Sequence, residues 1–245
     1  MTSLAGPIVL VGSGEYTPAM ESTDRLLLGS LGRPRARVAL IPAASGLEPG
    51  SPERWNTMGA IHFAALGAEP VPLPLLTRED AYAPAILNGL HGADLYYFSG
   101  GNPEHLVETL RETPAWAIIA AAHTAGAGVA GCSAGAMMLG AHTLRVRAVA
   151  AGHPPNWIPA LGLAAPLVVL PHFDRMASYV SQEVFRTVIA SAPAGDQLIG
   201  IDEDTALLRL APGQPWRVSG RQGVTLFGAG GATTVYRAGD LVSLP

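Results

Sequence analysis

Gly131-Cys132-Ser133-Ala134-Gly135 sets a serine two positions from a glycine on either side. That spacing fits a sharp strand-to-helix turn that lifts a serine hydroxyl above the carboxyl end of a sheet. The chemistry it suits is acyl transfer, with Ser133 as nucleophile and the Ala134 amide facing a developing oxyanion. Cys132, one position off, should point away from the pocket. Ser99-Gly100-Gly101-Asn102 is a second glycine-rich turn, where Gly100 or Gly101 could supply the other oxyanion donor.

A serine of this kind needs a base and a group to orient it. Of seven histidines, His172 directly follows the apolar run Leu167-Val168-Val169-Leu170-Pro171, so it sits where a buried strand ends. Ligands bind at that edge of an open parallel sheet. The carboxylate is harder to place, because no Asp or Glu lies between Ser133 and His172. Asp174 is nearest in sequence and is the first candidate. Asp202 and Glu203, after another strand, are the alternatives, with Glu15 further off.

The elements that must carry these residues alternate. Apolar runs at Pro7–Val11, Arg37–Ile41, Pro70–Leu73, Asp94–Phe98 and Gly128–Cys132 read as strands. Helical patterns occupy Pro18–Leu31, Glu53–Leu66, Asp80–Leu90, Glu104–Arg111, Trp116–Ala122 and Ala134–Leu139. Such alternation predicts a parallel sheet with right-handed crossovers and helices on both faces. A strand at Leu167–Leu170 and one helix over Met176–Ala190 come next. Short runs punctuated by Gly and Pro then predict a β-rich C-terminal part. With no linker and no internal repeat, residues 1–245 are expected to form one α/β domain.

Bulk properties narrow the function. Apolar residues make up 49% of 245 and charged residues 14%, the balance of a well-packed fold. The net charge is -4 and the 15 Lys and Arg are scattered, which disfavours nucleic acid as a partner. A single cysteine precludes an internal disulfide and a Cys-based zinc site, and suits a reducing cytoplasm. Met1–Pro7 has no basic region before its apolar run, so no signal peptide is expected. Pro114–Leu144 lacks any Asp, Glu, Lys or Arg. Its many glycines and alanines read as helix, strand and helix in a folded core, and no membrane partner is expected. A homodimer, the commonest assembly, is the expected oligomer.

Five segments in order resemble the dipeptidase E and cyanophycinase family of serine peptidases, within the class I glutamine-amidotransferase-like fold. They are Val11-Gly12-Ser13-Gly14-Glu15, Phe98-Ser99-Gly100-Gly101-Asn102, Gly131 to Ala136, Pro171-His172-Phe173, and Gly200 to Ala206. The resemblance implies a three-layer, flavodoxin-like sheet. It implies Ser133 as nucleophile, His172 as base, and Gly101 and Ala134 as oxyanion donors. Glu15, Asn102 and Arg175 become its substrate-facing residues, and Arg175 the nearest cation for an aspartyl carboxylate. The implied reaction is cleavage of a small peptide or amide, aspartyl or β-aspartyl, with no metal or organic cofactor. Two other readings stand beside it. One is a catalytically weak member binding a small polar ligand in the same cleft. The other is an esterase or another acyl transferase. Serine at position 133, where glutaminases need cysteine, disfavours glutaminase chemistry.

Overall fold

A computed structural model describes residues 5–244. Part of the N-terminal stretch read for a signal peptide, Met1–Leu4, lies outside them. Five strands form the parallel core: β1 (Ile8–Val11), β2 (Arg37–Ile41), β3 (Glu69–Pro72), β4 (Leu95–Phe98) and β5 (Gly128–Cys132). In space they run β1-β5-β4-β2-β3. Every residue of β1, β4 and β5 is buried, because helices cover both faces of a parallel sheet.

Strand alternation sorts these side chains into two cores. Ile8, Leu10, Tyr96, Phe98 and Val129 face one way, and Val9, Val11, Leu95, Tyr97 and Ala130 the other. Helices α1 (Glu21–Ser30) and α2 (Ser51–Ala65) cover the second face through Leu27 and Phe63. The first face is covered by α3 (Pro84–Leu90), α4 (Pro103–Leu110), α5 (Pro114–Thr124) and α6 (Ala134–Leu139). Leu90, Leu106, Ile119 and Met138 are their anchors there. Each such side chain contributes about 1.5–3 kcal/mol on burial.

Beyond α6 come the hairpin β6 (His142–Leu144) and β7 (Trp157–Pro159), with α7 (Val146–Ala150) in its loop. Then follow β8 (Leu167–Leu170), α8 (Met176–Tyr179) and α9 (Gln182–Ala190). The chain closes with β9 (Gln197–Ile201), β10 (Thr205–Arg209), β11 (Trp216–Gly220), β12 (Gly223–Phe227), β13 (Thr233–Arg237) and β14 (Leu241–Val242). Strands β10, β11 and β14 extend the main sheet antiparallel from β1. Strand β8 instead joins a separate four-stranded sheet, in the order β13-β12-β9-β8. The C-terminal β-rich part is therefore divided between two sheets.

Two helical readings are corrected. Asp80–Leu90 is a 3-10 turn at Asp80–Tyr82 followed by α3. Ala83 precedes Pro84 and is extended (ψ 126°), as the proline ring requires. Met176–Ala190 is two helices, broken at the extended Val180. Ser181 restarts the second by accepting from the Val184 amide. The charge-free stretch Pro114–Leu144 folds as α5, β5, α6 and β6. Among the described residues no helix is long and apolar enough to cross a membrane.

Candidate active site

Ser133 sits between β5 and α6 with φ 51° and ψ −111°. A β-carbon at Gly131 would lie 2.3 Å from the Gly135 backbone, and one at Gly135 would lie 2.5 Å from the Phe98 carbonyl oxygen. Only glycine fits two positions either side of the serine, and that is why the motif folds this way. The Ser133 amide is pinned to the Val11 carbonyl (2.9 Å), which anchors the turn to β1. The hydroxyl is left half-exposed at the carboxyl end of the sheet.

His172 arrives from the other sheet. It follows β8 and takes the left-handed conformation, φ 50° and ψ 37°. Its neighbour Phe173 packs over Gly200, where a β-carbon would fall 2.4 Å from the ring. Phe173 also meets Phe185 and Phe227 at centroid distances of 5.8 and 5.7 Å. With the turn so anchored, His172 Nε2 lies 3.0 Å from Ser133 Oγ. Its Nδ1 lies 3.0 Å from Glu203 Oε1. The carboxylate can only accept, so Nδ1 carries the proton and Nε2 is free to accept from the serine hydroxyl.

The acid beside the ring is thus Glu203, and the first candidate, Asp174, is corrected. The 3-10 turn Phe173–Arg175 carries Asp174 past the imidazole. There its Oδ1 accepts from the Glu203 amide (2.8 Å) and its Oδ2 from Gln222 Nε2 (3.1 Å). Burial alone would raise the Asp174 carboxyl, but these donors and the Arg175 charge outweigh it and hold it below the ordinary value. Asp174 braces Glu203 and does not touch His172. Asp202 turns inward, and its Oδ2 accepts from the Gly223 amide (3.0 Å) at the edge of β12. Burial raises its carboxyl. The parallel register pairs Leu170 with Gly200. Two residues further along each strand, His172 meets the chain at Asp202–Glu203. That register is the signal that separates these acids, and it belongs to the paired strands.

The glycine loop also sorts itself. Gly100 donates its amide to Glu15 Oε1 (2.9 Å), so it is corrected as an oxyanion donor. Gly101 (φ 143°) and Ala134 keep amides that no hydrogen bond takes up among the described residues. Both line the same cavity as Ser133 and His172. Glu15 is corrected as a substrate contact. It is buried, and its second oxygen accepts from Cys132 Sγ (2.8 Å). Burial, then the Glu15 charge, push the Cys132 thiol well above its ordinary value. Glu15 therefore ties the elbow to the glycine loop, a link that no motif in the sequence signalled. Asn102 Oδ1 caps α4 by accepting from the Glu104 and His105 amides. Arg175 is exposed, with Nε 3.5 Å from Glu203 Oε2 and 3.7 Å from Asp174 Oδ2. Among the described residues, no group of three or more His, Cys, Asp or Glu is placed to hold a metal.

Residues 8–210 match the model of peptidase family S51. The chain belongs to peptidase family S51. A peptidase from an acI-B1 Actinobacterium is similar over 98% of this chain and 97% of its own, with 33% identity and a TM-score of 0.88. A peptidase E-like protein from Listeria monocytogenes EGD-e shares the fold. It has 18% identity and a TM-score of 0.63, over 89% of this chain and 100% of its own. This S51 chain is a serine peptidase by family, and its α/β fold is that of these peptidases.

Proposed function

We propose that the chain hydrolyses a peptide or amide bond through an acyl-enzyme on Ser133, with His172 as general base and acid and Glu203 as its orienting carboxylate. The observation that carries this is the unbroken chain Ser133 Oγ, His172 Nε2, His172 Nδ1, Glu203 Oε1, with 3.0 Å at each gap. Both gaps are within proton-transfer reach. Ser133 Oγ bonds to the carbonyl carbon as its proton passes to Nε2. The carbonyl oxygen becomes an oxyanion, and the Gly101 and Ala134 amides are the donors proposed to hold it. When the intermediate collapses, the C–N bond breaks and His172 gives its proton to the departing amine. Water then attacks the ester, using His172 as base again, and Ser133 is regenerated. Glu203 stays ionised and stabilises the imidazolium.

A fluorophosphonate tests this by intact mass. The folded wild type should gain one phosphonyl group, mapped to Ser133, and Ser133→Ala none. A folded wild type left unlabelled, or equal labelling of the variant, would overturn it.

A further inference from the structure

The cavity that Ser133 opens into has a volume of about 470 Å³, and its deep wall is apolar. Met137 lies one helical turn beyond the serine. With Leu144, Val149, Leu170 and Val188 it forms the buried floor, each at most 6% exposed. These five belong to a third hydrophobic cluster, separate from the two that sandwich the main sheet. Strand β6 and helices α7 and α9, which supply three of them, lie outside the parallel core. Among the described residues, Arg147 is the one cationic side chain in the wall apart from His172. Its guanidinium lies 3.5 Å from Glu48 and its side chain is 54% exposed.

We infer that the residue on the acyl side of the scissile bond carries an apolar side chain, of the size of leucine or methionine, that fills this floor. The inference rests on Ser133 being the nucleophile. The side is set by the wall itself. Ser133 and the Gly101 and Ala134 amides, which would hold the acyl carbonyl, adjoin the floor. His172, which must protonate the leaving amine, lines the same cavity on the side of Tyr179, with ring centroids 5.9 Å apart and Tyr179 62% exposed, so that side opens to solvent. The amine therefore leaves toward solvent and the acyl group stays inside. A side-chain carboxylate on that floor would lose its water and gain no unpaired cation, a cost that an apolar group avoids. This chain departs there from the aspartyl substrate that its resemblance implies.

Diphenyl aminoalkylphosphonates test this without a known substrate. Ser133 Oγ bonds to phosphorus, one phenoxide leaves, and the serine proton passes through His172 to it as phenol. The substituent on phosphorus copies the acyl-side residue. Analogues of leucine and methionine should modify Ser133 about ten- to two-hundredfold faster than the aspartate analogue. Met137→Ala, or Val149→Ala alongside it, should raise the rate of the phenylalanine analogue relative to leucine by enlarging the floor. An aspartate analogue reacting as fast as leucine overturns the inference. So does an unchanged phenylalanine-to-leucine ratio in both variants. It is likewise overturned if no analogue reacts while a small fluorophosphonate still labels Ser133. If the fluorophosphonate also fails on folded protein, it is the nucleophile assignment that has failed.

Discussion

Glu203→Gln separates the acid that touches the imidazole from the acid that is merely close in sequence. The substitution keeps the side chain's length and removes its charge. It thereby removes the group that fixes the Nδ1–H tautomer at 3.0 Å and stabilises the imidazolium. Where the triad acid is deeply buried, the equivalent amide lowers turnover about 10⁴-fold. The Glu203 side chain is 28% exposed, so water takes over part of its role. The expected loss is about 10²- to 10³-fold, or about 3–4 kcal/mol of barrier at about 1.4 kcal/mol per tenfold. Asp174→Asn is the control. It keeps an acceptor for the Glu203 amide, and so is expected to cost about tenfold or less. The assay is the second-order rate of Ser133 phosphonylation, followed by intact mass, with thermal unfolding to show that each variant is folded. If Asp174→Asn lost more than Glu203→Gln, or Glu203→Gln reacted like wild type, the assignment of Glu203 would be wrong.

Two further outcomes follow from buried groups near the site. Cys132 is fully buried and donates to Glu15, so a disulfide reagent such as DTNB should leave the native protein untouched and titrate one thiol after denaturation. Rapid reaction of the native thiol would contradict this. His62 Nε2 lies 2.8 Å from Asp24 Oδ2; burial raises the Asp24 carboxyl and His62 opposes that rise. His62→Leu strands Asp24 and is expected to cost about 3–5 kcal/mol where that carboxylate is charged. A carboxyl whose folded pKa is raised contributes stability below that value and loses it as pH rises through it. Urea unfolding at pH 8 should show this deficit, and a variant as stable as wild type would refute the argument.

Local patterns made much of the fold legible. The continuous apolar runs of β1, β4 and β5 announce strands buried on both faces, and Pro103 and Pro114 mark helix starts. Breaks within helical patterns were less visible. Met176–Ala190 holds no glycine or proline, yet Val180 is extended and Ser181 caps a second helix. That β8 leaves the main sheet was not readable either, because an apolar run does not name the strand it will pair with.

The sequence by itself determined the elbow. Glycines two positions either side of Ser133 are a steric demand of one short turn, and that demand is written into five consecutive residues. Only the tertiary structure decided what Ser133 meets there. Asp174, Asp202 and Glu203 are similar acids near similar strand ends. What divides them is the parallel pairing of β8 with β9 and the left-handed turn at His172. The same holds for the glycines of the second loop, where a buried Glu15, distant in the chain, takes the Gly100 amide and leaves that of Gly101. Turn geometry is local, because neighbouring atoms impose it. A triad and its pocket are assembled by strand register and packing across the fold, and those depend on distant segments.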